Sequence, residues 1–201
     1  MANERAVVDQ SLLSWKGELC RKGIHLLSLF MPLCYFLLEP KEMYIGLCLM
    51  LALFGVYDLL RFFGHKSIKN FLDRYFGFLI RPRENKGFSG ATTIVLAGLL
   101  VYLLFDLKVA AASMIIIVIG DTSAAVIGRR FGRIKFRSKS LEGTLAFIAA
   151  SALVVILAPD LPYGVAFAGV LIGALVELLP LYIDDNITVP LASGALMQML
   201  I

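Results

Sequence analysis

The chain has 201 residues, of which 59% are hydrophobic and 17% charged, with a formal net charge of +4 and a mean hydropathy of +0.83. An ordinary soluble domain is about 45–50% apolar and about 25% charged, so these totals exclude that class and point to a membrane protein. About seven spans of about 20 residues would use most of the chain, leaving one membrane domain over 1–201 and no separate soluble domain.

Taken in order, residues 1–22 read as an interfacial amphipathic helix, with Val7, Val8, Leu12, Leu13 and Trp15 on its apolar side. No basic n-region and small-residue cleavage site precede the first apolar run, so that run is expected to be retained. Glu18, Arg21, Lys22 and His25 follow at i, i+3, i+4 and i+7, which places all four on one helical face. The simple account is a solvated helix entry, but His25 lies just inside the first span, where polarity is costly. Spans are expected at 23–39, 43–62, 89–105, 109–129, 141–158, 163–182 and 187–201. The fold class is therefore all-α, a polytopic bundle of about seven transmembrane helices behind an amphipathic helix. Cys20, Cys34 and Cys48 fit no metal-ligand spacing and are read as packing residues.

The loops set the orientation. Seventeen Lys and Arg fall before the first span, between Arg61 and Lys86, and between Arg129 and Lys139; only Lys41 and Lys108 fall on the other side. The positive-inside rule then puts the N-terminus and the long loops in the cytoplasm. Loop 64–88 carries an amphipathic segment in which Ile68, Phe71, Leu72, Tyr75 and Phe76 alternate with charged residues. Loop 129–140 is basic. Ser89, Ser140 and Asn186 stand as N-caps at cytoplasmic helix starts, where free N–H groups favour phosphate. Asp58, Arg61, Asp121, Glu177, Asp184 and Asp185 come to the same face.

Asp121 is the sharpest signal. A carboxylate inside a membrane-grade helix is expensive and marks a functional site by default. Ala124, Ala125 and Gly128 follow it on one stripe, which admits a close ligand or, more simply, a packed helix. Oxygen ligands suit Mg²⁺, and Glu142, Glu177, Asp184 and Asp185 are the possible partners of Asp121. Lys139-Ser140-x-Glu142-Gly143-Thr144 offers a lysine, a helix start and backbone amides to a phosphate, without the Walker A spacing.

The run Gly120-Asp121-x-x-Ala124-Ala125-x-x-Gly128-x-x-x-Gly132-x-x-Lys135, with Lys139-Ser140-x-Glu142-Gly143-Thr144, resembles the CTP-dependent membrane lipid kinases, which include dolichol kinase, phytol kinase and the yeast-type diacylglycerol kinase. Glu18-x-x-Arg21-Lys22-x-x-His25, Asp58-x-x-Arg61, Lys86-Gly87-x-Ser89-Gly90 and Asp184-Asp185-Asn186-x-x-x-Pro190 agree in order. The central motif is also similar to the phosphatidate cytidylyltransferases, but their acidic C-terminal signature is missing. The resemblance implies Mg²⁺-dependent transfer of the γ-phosphoryl of CTP to the hydroxyl of a membrane lipid alcohol, whether diacylglycerol, a polyprenol such as dolichol, or phytol. The loop charges put the site at the cytoplasmic face, and so compact a chain is expected in a plasma membrane. Asp121 would hold Mg²⁺. Arg21, Lys86, Ser89, Gly90, Arg129, Arg130, Lys135, Lys139, Ser140 and Gly143 would hold nucleotide and phosphate, with Lys22 completing the cluster. The base is His25, Asp58 or Asp121. The partners are CTP, a lipid alcohol and the bilayer, with no nucleic acid; glycine-rich faces allow a homodimer. The rivals are a CDP-lipid-forming cytidylyltransferase and a small transporter lined by Asp121, Glu177 and His25.

Overall fold

The computed structural model describes residues 15–80, 84, 87–136, 139–157, 161–180 and 182–201. These are helical apart from short connections and a two-residue antiparallel ribbon. The elements are α1 (Trp15–Leu27), α2 (Phe30–Leu37), α3 (Pro40–Phe63), α4 (Lys66–Phe76), a 3-10 turn (Gly77–Leu79), α5 (Gly90–Leu104), α6 (Leu107–Phe131), β1 (Lys135–Phe136), β2 (Lys139–Ser140), α7 (Leu141–Leu157), α8 (Tyr163–Leu178) and α9 (Asp185–Leu200).

Two helices, α3 and α6, are long and apolar enough to cross a membrane. The helices α5, α7 and α8 are apolar but shorter. They occupy the expected spans, yet at 1.5 Å per residue 15–17 residues reach only about 22–26 Å, against a hydrocarbon core of about 30 Å.

The first expected span, 23–39, is divided. One helix runs on from Trp15 to Leu27, breaks at Ser28–Leu29, and α2 starts at Phe30. Pro32 is the reason. It has no N–H to give the carbonyl of Ser28, and its ring would clash there, but it is tolerated in the first turn of a new helix. The expected interfacial helix is thus continuous with the first span's opening; its residues 1–14 lie outside the described residues. Pro40 begins α3 at a position where a missing N–H costs nothing.

The central helix is α6. Val109, Ala110, Met114, Ile116, Ile117 and Val118 are buried along it, and α1, α2, α5, α7, α8 and α9 all pack on it. Half of its apolar stretch is enclosed, against 17% for α3, whose Leu49, Leu53, Val56 and Phe63 face outward. Such a row of exposed large apolar side chains suits lipid contact and would be a liability in water. Cys34 packs at the core edge, whereas Cys20 and Cys48 face outward, so the packing role expected of all three belongs to one.

Helices α6 and α7 cross with their backbones in close approach. A Cβ on Gly143 would stand 2.9 Å from the carbonyl oxygen of Ala124 and 3.2 Å from Gly128 Cα. Both are backbone atoms and have no rotamer to yield. Gly143→Ala should therefore force the helices apart at a cost of about 1–3 kcal/mol. Thermal unfolding in detergent reads this as a lowered midpoint; an unchanged midpoint would show that the crossing can relax.

Candidate functional site

Helix α1 lies along α6 and presents the face expected of it. The Lys22 amine pairs with the Asp121 carboxylate, and His25 Nε2 lies 3.6 Å from the same oxygen, Oδ2. Two turns along, Arg21 Nη2 bonds Glu18 Oε1 at 2.8 Å, and Arg129 Nη1 approaches Glu18 Oε2 at 3.9 Å. Lys22 is 2% exposed. A lysine so enclosed is stable as a cation only beside a carboxylate, and the 3.6-residue period brings Lys22 and His25 to Asp121 together.

A second ion cluster stands at the ends of α8 and α9. Lys139, on β2, donates to Glu177 and, at 2.8 Å, to Asp185 Oδ2. Burial works against its charge, but Asp185, Glu177 and Asp121 outweigh that and hold its amine above the ordinary lysine range. The influence of Asp121 on Lys139 links the two clusters. With the folded value raised, the stabilising contribution of Lys139 is complete below the unfolded lysine value of about 10.4 and fades only above it. Lys139→Met should leave Glu177 buried without its cation and destabilise the fold by about 3 kcal/mol. Adding Glu177→Gln should recover part of the loss. Melting curves of the single and double variants at neutral pH test this, and equal midpoints for the two would remove the pairing argument.

The third group holds the start of α5. Asp58 Oδ2 accepts from Ser89 N at 2.9 Å, Ser89 Oγ at 3.1 Å and Thr92 Oγ1 at 2.6 Å, while Arg61 Nη2 stands 3.3 Å from Oδ1. Arg61 also donates to the carbonyl of Glu84 at 2.8 Å. Asn186 Nδ2 crosses from α9 to the carbonyl of Gly90 and to Thr93 Oγ1. Gly90 itself neighbours Arg21 and Glu84. Asp58 is fully enclosed. Its ties make it a clamp on the start of α5.

Other expected site residues fall differently. Ser140 Oγ turns inward beside Gly128 and Gly132 and accepts from Gly143 N at 3.2 Å. Ser140 and Gly143 thus serve the expected N-cap and the close helix crossing. Glu142 Oε1 accepts from Arg133 N at 2.9 Å and Ile134 N at 3.1 Å, fastening the basic ribbon. Asp184, not Asn186, caps α9, accepting from Asn186 N at 2.9 Å. Arg129, Arg130 and Lys135 lie exposed at the rim, with Lys135 Nζ 3.5 Å from the carbonyl of Gly128. Lys86 lies outside the described residues. Glu84 and Thr93 were missed by sequence reasoning; only the Ser89-x-x-Thr92 cap hinted at this network. Among the described residues, no three His, Cys, Asp or Glu side chains form a group able to hold a metal ion.

Compared with known proteins, the chain is 28% identical over 182 residues to an uncharacterized protein of Rickettsia prowazekii (strain Madrid E), covering 86% of this chain and 89% of that one. It is 55% identical over 38 residues to dolichol kinase of Saccharomyces cerevisiae, covering 18% of this chain and 7% of the kinase. No family model and no solved structure matches it.

Proposed function

We propose that the chain is a membrane lipid kinase that moves the γ-phosphoryl of CTP to the hydroxyl of a membrane lipid alcohol. The observation that carries this reading is the pair Lys22–Asp121 and the cluster Lys139–Glu177–Asp185, near enough for the Asp121 charge to act on Lys139. The short likeness to dolichol kinase supports the same class of chemistry. CTP as donor rests on the motif resemblance. In this reading the chain passes the membrane seven times, with its N-terminus and site on the cytoplasmic side of a plasma membrane, as the charge asymmetry of the loops favours.

Phosphoryl transfer asks for positioning and charge neutralisation more than for covalent help. Lys22 and Lys139 sit beside carboxylates and bring fixed positive charge to the triphosphate; Arg21 adds to it, and Arg129 and Arg130 gather the nucleotide at the rim. The donor set is all oxygen and forms no protein cage. It fits Mg²⁺, which takes one or two carboxylates together with substrate phosphates. Asp121 and Asp185 would hold the ion, which when bound neutralises phosphate charge. As the acceptor oxygen bonds the γ-phosphorus, the bond to the β-phosphate oxygen breaks and CDP leaves. The hydroxyl proton passes to His25 or Asp121.

The test uses purified protein in detergent with Mg²⁺, mixed lipid alcohols, and γ-labelled CTP or ATP in parallel. Label passing from CTP into lipid is the expected result. Pyrophosphate released from CTP when phosphatidic acid is supplied, with no label in lipid, would move the assignment to a cytidylyltransferase.

A further inference from the structure

A cavity of about 510 Å³ lies between α1–α2, α3 and α5, roofed by Phe76 and Leu79. Its walls are apolar, formed by Leu27, Met31, Leu53, Phe54, Ile94 and Val95 among others. Leu27 and Leu53 line it and are also 70% and 67% exposed, so its mouth opens sideways, toward lipid tails. Polar groups gather at one end, where Arg21, His25, Glu84 and Ser89 meet the start of α5. His25 is the hinge between the two halves of the site: it lines the cavity and stands 3.6 Å from Asp121.

We propose that this cavity binds a single-chain lipid with one terminal hydroxyl, chain in the slot and hydroxyl at His25, in preference to a two-tailed glycerolipid. That this lipid is the phosphoryl acceptor rests on the kinase reading above. Form is the first argument. The slot, about 510 Å³, lies within the range of about 300–1,000 Å³ usual for small-ligand pockets, and its sideways mouth lets the far end of a longer chain run out among lipid tails. Polarity is the second. His25 Nε2 and Arg21 Nε are buried without hydrogen-bond partners. They lie one turn apart on the same face of α1. A guanidinium N–H gives and an imidazole nitrogen accepts, and a hydroxyl needs one of each. Ser89 is already committed to Asp58. Among the described lining residues no further buried donor stands without a partner for the two ester carbonyls of a glycerolipid, a cost of about 1–3 kcal/mol for each left unpaired.

The experiment measures binding of tritiated geranylgeraniol to the full chain in phosphatidylcholine nanodiscs, without nucleotide. Saturable binding is expected, displaced by unlabelled phytol or oleyl alcohol and at least tenfold less well by dioleoylglycerol. Val95→Trp fills the slot and Leu53→Trp narrows its mouth from the lipid side. Each should weaken geranylgeraniol binding at least tenfold with Mg²⁺–CTP binding unchanged. The milder Leu53→Trp serves if Val95→Trp does not fold. Equal competition by dioleoylglycerol, no saturable binding, or full binding by a folded Val95→Trp or Leu53→Trp protein overturns the proposal. The two readings fail separately. A chain that binds geranylgeraniol but transfers label from no nucleotide keeps this site and loses the kinase; one that phosphorylates dioleoylglycerol at full rate keeps the kinase and loses this site.

Discussion

Asp121→Asn lowers transfer of label from CTP to lipid by about 10²–10³-fold or more, the range for removing one preorganised electrostatic group from an active site. The substitution also leaves the Lys22 ammonium, 2% exposed, facing a neutral amide. Removing one partner of a buried pair costs about 3–5 kcal/mol, with Asn at the lower end because its oxygen still accepts a hydrogen bond. Activity and folding are separated by removing both charges. Lys22→Met with Asp121→Leu should melt closer to the parent than Asp121→Asn does, and should remain inactive. Rates of label transfer and melting curves in the same detergent make the comparison. A fully active Asp121→Asn protein would take Asp121 out of the chemistry.

Asp58→Ala has the second large effect, and on stability first. It removes the acceptor for Ser89 N, Ser89 Oγ and Thr92 Oγ1 and strands Arg61, whose side chain is 9% exposed. The expected loss is about 3–5 kcal/mol. Asp58→Asn keeps an oxygen for the three donors and loses only the charge, so it should cost about 1–3 kcal/mol. The order of melting midpoints is then parent, Asn, Ala, with activity following stability. If Asp58→Asn melted like the parent and yet were inactive, Asp58 would act in the reaction and the clamp would be the wrong account.

Much of this was legible in local patterns. Apolar runs marked the helices to within a few residues, except at Ser28–Leu29. There the hydropathy run hid Pro32, whose effect is on the backbone and not on polarity. The face from Glu18 to His25 follows from helical period alone, and it does meet α6. Asp121 was visible because a carboxylate stands out in an apolar helix. The ion-pair partners were not legible. Lys22 and Asp121 are 99 residues apart, and Lys139 and Glu177 are 38 apart, so no spacing rule connects them.

Ser140 and Asp58 teach the opposite lesson. Each sits in a motif that reads as chemistry, and each is turned inward to hold a helix start. Side-chain direction at a helix terminus depends on what packs against it. Gly128 and Gly132 let Ser140 fold inward, and Arg61 draws Asp58 toward the segment before α5.

By itself, then, the sequence determined the strongly apolar character of the chain, the approximate positions of the helices and which loops carry the lysines and arginines, because these follow from hydropathy, helical period and loop composition. Only the tertiary structure decided which carboxylate meets which lysine, which polar residues are clamps, and that an apolar slot ends at His25. Those depend on contacts between helices distant in the chain, where packing chooses among many pairings that the sequence leaves equal.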